Sequence, residues 1–409
     1  MVEGVARNVF YSSREGFNVI KMLNSATLEI DFPDDAAAEI LNSLKLENEL
    51  LGNSVGIISC HCDYIENGTV KAICDKLPFD VVGYSTAAGA TGDFYGQESL
   101  SLAILTSDDV RFSTVMSEPI FAATARKSVD DAYKKVTAEC SEKPKLALAF
   151  LPFLLDISGA VMMEGLNKIT GGVPIFGTAA CSHKLDNSIA YTIRNGSATH
   201  NAAVFVALEG NVNPKFFFTS IADSNINDVG GEVTESEECF LKKVNGVPFV
   251  DFMESCGISS DAVRTTPASF PLMLDRLDGS QPTASGIYEI TPDGCAHCGC
   301  YVPMGARLSF GRQDYNGILH TAETTVKRAL RAQAMKTDKS EAILIFSCVS
   351  RFVMLGAKLE DEMKKIAELV SYKVPYQFSY SGGEICPVYN EKGDVFNRFH
   401  NFSCAACVL

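Results

Sequence analysis

The chain has 409 residues, of which 46% are hydrophobic and 21% charged, a composition typical of a globular protein with two or three domains. Its 50 acidic and 35 basic residues give a net charge of −15, which repels phosphate backbones and excludes nucleic acid from the expected partners. The longest apolar stretch, Leu146–Leu155, is about half as long as a membrane span, and the first residues lack the apolar segment of a secretory signal. We therefore expect a cytoplasmic protein without membrane association.

The chain contains 14 cysteines, an unusual number for a protein of this kind. In a long chain without a secretory signal, such cysteines are more often reduced thiols than members of a disulfide framework. Several lie within apolar segments, where a thiol behaves as a small hydrophobic group.

Three blocks along the chain repeat one pattern. In each block a strand of buried character, an amphipathic helix and a second strand lead into a turn of small polar residues. The blocks span Ser54–Thr86, Lys145–Ala179 and Glu341–Ser381. Because ligands in sheet proteins are commonly held where strands end, these turns are candidate binding positions.

Further strands follow the first two blocks and are separated by short polar turns, which predicts antiparallel neighbours. After the first block, Ser99–Thr106 and Val110–Met116 flank Asp108 and Asp109, a pattern that predicts a hairpin. The sequence therefore predicts an α+β fold of mixed, largely antiparallel sheets flanked by helices, built from repeated strand–helix–strand units and arranged in two lobes.

A polar, acidic segment around Ala222–Glu238 marks the predicted domain boundary. The first domain would cover residues 1–225, with an internal duplication at about 50–120 and 140–220. The second domain would cover residues 226–409.

Short motifs near the predicted strand ends resemble those of the FIST family (F-box and intracellular signal transduction proteins). They follow the family's order over nearly the whole chain. The motifs are Gly83-Tyr-Ser-Thr86, Val233-Thr-Glu235, Asn245-Gly-Val-Pro248, Ser347-Cys-Val-Ser-Arg351, Gly383-Glu-Ile385 and Phe399-His-Asn401.

The resemblance implies a FIST N-terminal-like domain over residues 1–225 and a FIST C-terminal-like domain over residues 226–409. It also implies a sensory domain that binds small molecules such as amino acids. Relatives are often joined to kinase, chemotaxis or F-box parts, and this chain shows none. The expectation is therefore a stand-alone sensor in signal transduction that acts through an unknown downstream protein.

Arg351 follows a predicted strand and precedes a helix. Its planar guanidinium can hold a carboxylate or a phosphate through two parallel hydrogen bonds, and the helix start adds to the attraction for an anion. The alternative is a structural ion pair, for instance with Glu384. If Arg351 and Glu384 instead face one cavity, they can hold the carboxylate and the ammonium group of an amino acid.

Six further residues complete the predicted ligand site. His400 and Asn401 precede the last strand, where a histidine is either a satisfied core residue or a ligand contact. Hydroxyl and thiol groups at strand ends either cap turns or bind the ligand, and they belong to Ser85, Thr86, Ser347 and Cys348.

Two other functions remain open at this stage. The chain could be an enzyme with Cys348 or Ser347 as the nucleophile and His400 as the base, although neither nucleophile lies in the G-x-S-x-G pattern of a nucleophile elbow. It could also be an adaptor that binds a protein through an exposed apolar patch.

No cofactor, no catalytic residue and no metal site is expected. The thiols of Cys295, Cys298 and Cys300 lie close together in sequence, whereas structural zinc usually requires two separated pairs of ligands. Alternation along a strand would place His297 on the opposite face from Cys298. Whether this group binds a metal is left open by the sequence.

Overall fold

A computed structural model describes residues 20–154, 157–184, 186–336 and 341–409. Up to residue 116 its elements are β1 (Lys21–Thr27), α1 (Pro33–Ser43), α2 (Leu46–Glu49), β2 (Asn53–Cys60), α3 (Asp63–Glu66), α4 (Thr69–Cys74), β3 (Val81–Ser85), β4 (Ala88–Thr91), β5 (Phe94–Gln97), β6 (Leu100–Ser107) and β7 (Val110–Met116). The next elements are α5 (Ala125–Ala138), β8 (Leu146–Leu151), α6 (Gly159–Asn167), β9 (Ile175–Ala179), β10 (Thr192–Arg194), β11 (Ser197–Thr199), β12 (Val204–Gly210) and β13 (Lys215–Thr219).

The second half of the chain begins with a group of short strands. They are β14 (Ile226–Glu237), β15 (Phe240–Val244), β16 (Val247–Pro248), α7 (Phe249–Ser255), α8 (Ser260–Thr265), β17 (Leu272–Asp275), β18 (Thr283–Ser285), β19 (Ile287–Ile290), β20 (Ala296–Cys298) and β21 (Arg307–Gly311). The final elements are α9 (Tyr315–Met335), β22 (Ile343–Cys348), α10 (Val349–Leu355), α11 (Glu360–Val370), β23 (Tyr376–Ser381), β24 (Glu384–Tyr389), β25 (Val395–His400) and β26 (Cys404–Val408).

Three six-stranded sheets share one strand order: an edge strand, an antiparallel strand, a parallel pair and a hairpin. The orders are β1-β6-β2-β3-β10-β11, β7-β12-β8-β9-β24-β25 and β13-β26-β22-β23-β4-β5. The parallel pairs β2–β3, β8–β9 and β22–β23 are the strands of the three predicted blocks. The predicted fold class, with mixed and largely antiparallel sheets, is therefore confirmed.

The hairpin after each parallel pair joins the sheet of another block. The β4–β5 hairpin of the first block pairs with β23 of the third, and β10 of the second pairs with β3 of the first. Likewise β24 of the third block pairs with β9 of the second. This exchange ties the three repeats together in a cycle, so each sheet contains strands that are distant in sequence.

The predicted hairpin between β6 and β7 is wrong. Strand β6 is antiparallel to β1 on one side and to β2 on the other, so both of its edges are occupied. Strand β7 pairs with β12 in the second sheet. The turn at Asp108–Asp109 therefore carries the chain from one sheet to the next.

The remaining sheet has eight strands, β14 to β21, and lies in the chain between β13 and α9. It has a separate apolar core that includes Val233, Phe249 and Phe310. The sequence boundary at residue 226 coincides with the start of β14, but the chain after Gly311 returns to the three-repeat body. The two-domain division at 225/226 stays a prediction about sequence modules.

The three six-stranded sheets pack on one shared core. Tyr84 of β3 stacks on Phe150 of β8 with ring centroids 4.9 Å apart, and Phe346 of β22 stacks on Phe176 of β9 at 5.1 Å. Tyr84 also meets Phe346 edge to face at 5.9 Å. Each sheet therefore contributes an aromatic ring to the same buried contact.

Within the described part of the chain, no helix combines the length and the apolar character needed to cross a bilayer.

Close contact within the parallel pairs requires glycine. A Cβ atom on Gly177 of β9 would lie 1.8 Å from the carbonyl oxygen of Ala149 on β8. A Cβ atom on Gly83 of β3 would likewise lie 2.3 Å from the carbonyl oxygen of Ile58 on β2. These are backbone atoms in sheets, so they cannot move aside without loss of the strand pairing.

We expect Gly177→Ala to lower the free energy of unfolding by about 2 kcal/mol or more, since backbone must shift to admit the methyl group. Gly165→Ala in α6 is the matched control, because its Cβ would meet its nearest atom at 3.4 Å and alanine favours the helix. Urea unfolding of both variants measures the difference. Equal stability of the two variants would contradict the close-contact argument.

Candidate functional site

The turns that follow β3, β9 and β23 meet one another. The Ser85 hydroxyl donates to the carbonyl oxygen of Cys181 at 2.9 Å, and the Thr86 hydroxyl donates to that of Tyr380 at 2.8 Å. Thr178 and Ser381 join the other two turns through their hydroxyl groups at 2.6 Å. Ser85 and Thr86 are fully buried, and in this structure they connect the three repeats.

Arg351 lies at the start of α10 and is completely buried. Its Nε and Nη2 atoms donate to Oε1 of Glu362 at 3.0 and 2.8 Å. The remaining donors reach the hydroxyl of Thr321 and the carbonyl oxygens of Ile318 and Phe402. All five N–H groups of the guanidinium therefore have partners within the protein.

The ion-pair partner of Arg351 is thus Glu362 on α11, and not Glu384 as the sequence suggested. Burial opposes the charge on Arg351, but the charge and hydrogen bonds of Glu362, together with Cys404 and Tyr380, raise the pKa of the guanidinium overall. A ligand carboxylate would have to displace Glu362 to reach Arg351. A ligand role for Arg351 stays a prediction without support from this arrangement.

Glu362 is the centre of a satisfied network. The hydroxyl of Ser347 at the end of β22 donates to its Oε1 atom at 2.9 Å, and that of Tyr380 donates to its Oε2 atom at 3.1 Å. Ser347 is therefore a partner of the buried ion pair.

Removal of one member of this pair should be costly, because it leaves the other charge buried. We expect Glu362→Gln to lower the free energy of unfolding by about 3–5 kcal/mol. The partly exposed Glu323, which bridges Lys327 and Lys365, provides the control, and Glu323→Gln should cost less than about 1 kcal/mol. Urea unfolding distinguishes the two, and comparable losses would show that the pair is not central to stability.

Glu384 begins β24 and is completely buried. Its Oε2 atom accepts hydrogen bonds from the hydroxyl and the backbone N–H of Ser403, at 2.6 and 3.3 Å. Burial raises the pKa of Glu384 to about 8, although Ser403, Ser381 and the charge of Arg351 act in the opposite direction. Near neutral pH, this carboxyl group is thus poised between its protonated and ionised forms.

His400 lies directly opposite Glu384 in the pairing of β24 with β25. Its Nε2–H donates to the carbonyl oxygen of Cys386 at 2.9 Å, which leaves Nδ1 as an acceptor, and its ring packs on Phe218. Burial lowers the pKa of His400 to about 3, so the imidazole is neutral.

Among the described residues, Oε1 of Glu384 and Nδ1 of His400 have no hydrogen-bond partner. Buried polar atoms are nearly always paired in folded proteins, and exceptions often mark functional positions. Two such atoms on adjacent strands make this region the leading candidate for a ligand site.

The buried carboxyl group should make stability depend on pH. Glu384 loses its proton at about pH 4.5 in the unfolded chain but only at about pH 8 in the folded protein, so the folded state loses stability as the pH rises between these values. His400 has the opposite effect, which ends near pH 6.5. Between pH 6.5 and 8 we therefore expect the free energy of unfolding to fall by about 1 kcal/mol per pH unit.

Glu384→Gln should remove this slope, whereas the exposed Glu391→Gln should retain it. Urea unfolding at several pH values across the interval tests both expectations. A slope that persists in Glu384→Gln would assign it to other groups.

Cys348 ends β22 and is buried; burial and then the nearby Glu384 raise its thiol pKa. Its sulfur atom accepts a hydrogen bond from Ser350 at 3.1 Å. In the described residues no hydrogen bond joins His400 to Cys348 or to Ser347, so the predicted nucleophile–base pairs are not formed. The thiol lacks the activation that a nucleophile needs.

Asn401 connects the C-terminal strands to the eight-stranded sheet. Its Oδ1 atom accepts from the backbone N–H of Gly286 at 3.0 Å and from the thiol of Cys300 at 3.5 Å. Its Nδ2 atom lies 3.5 Å from the hydroxyl of Tyr288. Tyr288 is 48% exposed, so its side chain connects Asn401 to the surface.

Arg276 is a candidate that the sequence analysis missed. It follows β17 and donates to the hydroxyl of Thr283 and to the carbonyl oxygen of Tyr301, while its Nε atom has no partner among the described residues. Burial and then the charge of Arg398 lower the pKa of Arg276. Its only sequence signal is a charged residue at a strand end, a feature too common to single it out.

Arg276 and Glu384 act on the same neighbour. Both charges influence the pKa of Cys300, which burial raises to about 11, and the charge of Arg276 also lowers the pKa of His400. A guanidinium and a carboxyl group, each with an unpaired atom, therefore lie within electrostatic range of the buried thiol of Cys300.

The cysteine-rich segment alternates as the sequence predicts. Cys298 is buried, whereas His297 stacks on Phe240 on the other face of β20. The Cys300 thiol donates a hydrogen bond to the carbonyl oxygen of Phe399, and the Cys295 thiol donates one to the carboxylate of Asp293. These side chains have separate partners, an arrangement that does not favour a shared metal ion.

Comparison with known proteins identifies the family. A family model for the FIST N domain matches residues 54–246, and one for the FIST C domain matches residues 252–387. The chain belongs to the FIST family. The first match covers two repeats and the start of the eight-stranded sheet, and the second continues through the third repeat to β24.

FIST domains are proposed to be sensors of small ligands. A search of the curated proteins finds no significant match. Among solved structures, the FIST chain is similar to a cyanuric acid hydrolase from A. caulinodans, with 10% identity, coverage of 96% of this chain and 99% of that chain, and a TM-score of 0.39. A second cyanuric acid hydrolase has 10% identity, coverage of 96% and 100%, and a TM-score of 0.36. Such values carry no information about activity.

Proposed function

We propose that this FIST protein is a small-molecule sensor whose ligand is an amino acid or another small carboxylate. The proposed site lies around Cys300 and includes Glu384, His400, Asn401 and Arg276.

The observation that carries the proposal is the chemistry of three unpaired atoms. Nδ1 of His400 is an acceptor, Oε1 of Glu384 becomes one when the carboxyl group is ionised, and Nε of Arg276 is a cationic donor. An ammonium group complements the two acceptors, and a carboxylate complements the guanidinium. A zwitterionic amino acid supplies both groups in one small molecule.

The raised pKa of Glu384 gives binding a further signature. Near pH 7 the empty site would hold Glu384 mainly in its protonated form, because its pKa is about 8. An ammonium group would favour the carboxylate and release the proton. Proton release on binding would distinguish an amine-bearing ligand from a neutral one.

Access to the site is supported by a surface cavity of about 250 Å³, which is lined by residues of α8 and β19 and includes Tyr288. Tyr288 lines this cavity, and its hydroxyl contacts the side chain of Asn401, which in turn contacts the thiol of Cys300. Rotation of the half-exposed Tyr288 ring would connect the cavity to the buried polar groups.

We also infer a cytoplasmic location and an unidentified downstream signalling protein. All 14 cysteines are free thiols, which fits a reducing compartment. The net charge of −15 disfavours nucleic acid as the partner.

We expect one or more amino acids to raise the melting temperature in a thermal-shift screen, because a ligand that binds only the folded state stabilises it. For each active amino acid, the deaminated acid and the decarboxylated amine serve as matched ligands and should bind at least about tenfold more weakly, a loss of ~1.4 kcal/mol. Isothermal titration in two buffers of different ionisation enthalpy should show proton release.

Glu384→Gln and Arg276→Gln should each abolish the thermal shift, whereas the exposed Arg331→Gln should retain it. Circular dichroism confirms that the variants are folded. If no amino acid or small carboxylate shifts the wild-type protein, or if both site variants respond as it does, the proposed site is wrong.

A further inference from the structure

A second group of side chains meets far along the sequence from Glu384. His61 and Cys62 follow β2, and His183 follows β9. Nε2 of His61 lies 2.8 Å from Nδ1 of His183, and a ligand atom from each of the three residues lies within 4.8 Å of the others. We propose that His61, Cys62 and His183 bind a divalent metal ion, with Zn²⁺ as the expected ion.

The types of ligand favour zinc. Two imidazole nitrogens and one thiolate form a set that suits Zn²⁺, whereas Mg²⁺ and Ca²⁺ prefer oxygen ligands. Three protein ligands leave the fourth tetrahedral position for water or a small molecule. His61 and Cys62 are buried and His183 is exposed, so this fourth position would face solvent.

The backbone around the group is held in place by the first block. The Thr86 N–H donates to the carbonyl oxygen of Cys60, next to His61, at 2.8 Å. The Cys181 N–H donates to the carbonyl oxygen of Ser85 at 3.0 Å, and the Ser85 hydroxyl returns a bond to Cys181. Ser85 and Thr86 are therefore positioning residues that bring the two ligand-bearing loops together.

Acidic neighbours complete the arrangement. Oδ1 of Asp63 lies 3.5 Å from Nδ1 of His61 and 3.5 Å from the sulfur of Cys62. Partners of the second nitrogen of a histidine ligand orient its ring, and Nδ1 of His61 accepts a hydrogen bond from the backbone N–H of Asp63 at 3.5 Å. Glu66, which accepts a hydrogen bond from Tyr191, adds a negative charge on the same side.

The rearrangement required of the two imidazole nitrogens is small, whereas the Cys62 sulfur, 3.9 Å from Nδ1 of His61 and bonded to Asp63, must turn towards the ion. Tetrahedral ligands at zinc–nitrogen distances near 2.0–2.1 Å place the two nitrogen atoms roughly 3.3 Å apart. The observed 2.8 Å separation would increase by about half an ångström, and the exposed ring of His183 can move by this amount. The alternative is a simple hydrogen bond between two imidazole rings, which would give no affinity for metal.

The test is titration of the chelator-treated full chain with Zn²⁺ in competition with a chromophoric chelator. Titration with Co²⁺ provides a second readout, because a thiolate ligand adds a sulfur-to-cobalt charge-transfer band. We expect one ion per chain and a charge-transfer band in the wild-type protein. Cys62→Ser should lose the band, and His61→Gln and His183→Asn should each weaken binding at least tenfold.

Two variants serve as controls. His200→Asn changes a neighbouring histidine whose ring packs on Tyr191, and Cys256→Ser changes a thiol directly after α7; both should bind as the wild type does. Because His183 is exposed, His183→Asn should fold even if changes at the buried residues do not. Absence of stoichiometric binding, or unchanged affinity in His183→Asn, overturns the proposal.

Discussion

The packing of three repeats around one aromatic core is the constraint on which the rest of the structure depends. Tyr84, Phe150, Phe176 and Phe346 come from three different sheets and fill the same buried space. For the rings to meet, the turns that follow β3, β9 and β23 must also approach one another. Small side chains and hydroxyl groups permit this approach, because they occupy little volume and donate hydrogen bonds to the buried backbone carbonyl groups of the turns.

Burial of so many strand ends leaves polar groups that must find partners inside the protein. Around Arg351 the fold supplies every partner, and Glu362 compensates the charge. Around Glu384 it supplies only some, and unpaired atoms remain on neighbouring side chains. This contrast is the reason why the proposed ligand site is placed at the second cluster and not at the first. The hairpin exchange places Glu384 in the sheet of the second block, beside Thr178.

The parts of the fold that were predicted correctly depend on local signals. Each strand–helix–strand block has a buried strand, an amphipathic helix and a turn within about 40 residues, and such a unit packs in one way. Which strand each later hairpin pairs with does not depend on local signals. The residues of β6 and β7 satisfy the hairpin pattern, yet β6 is paired on both edges by β1 and β2. Edge occupancy depends on strands elsewhere in the chain, so no local pattern reveals it.

The sequence by itself determined the class of fold, the family and the kinds of side chain present at the strand ends, because these depend on periodicity and on short motifs. It suggested Arg351 and Glu384 as a pair, but only the tertiary structure decided that Glu362 neutralises Arg351 and that Arg276 bonds to Tyr301, next to Cys300. The physical reason is that charge pairing acts over a few ångströms. Arg351 and Glu362 lie on different helices and His61 and His183 are 122 positions apart, so each pair reaches that distance only through the packing of the elements that carry it.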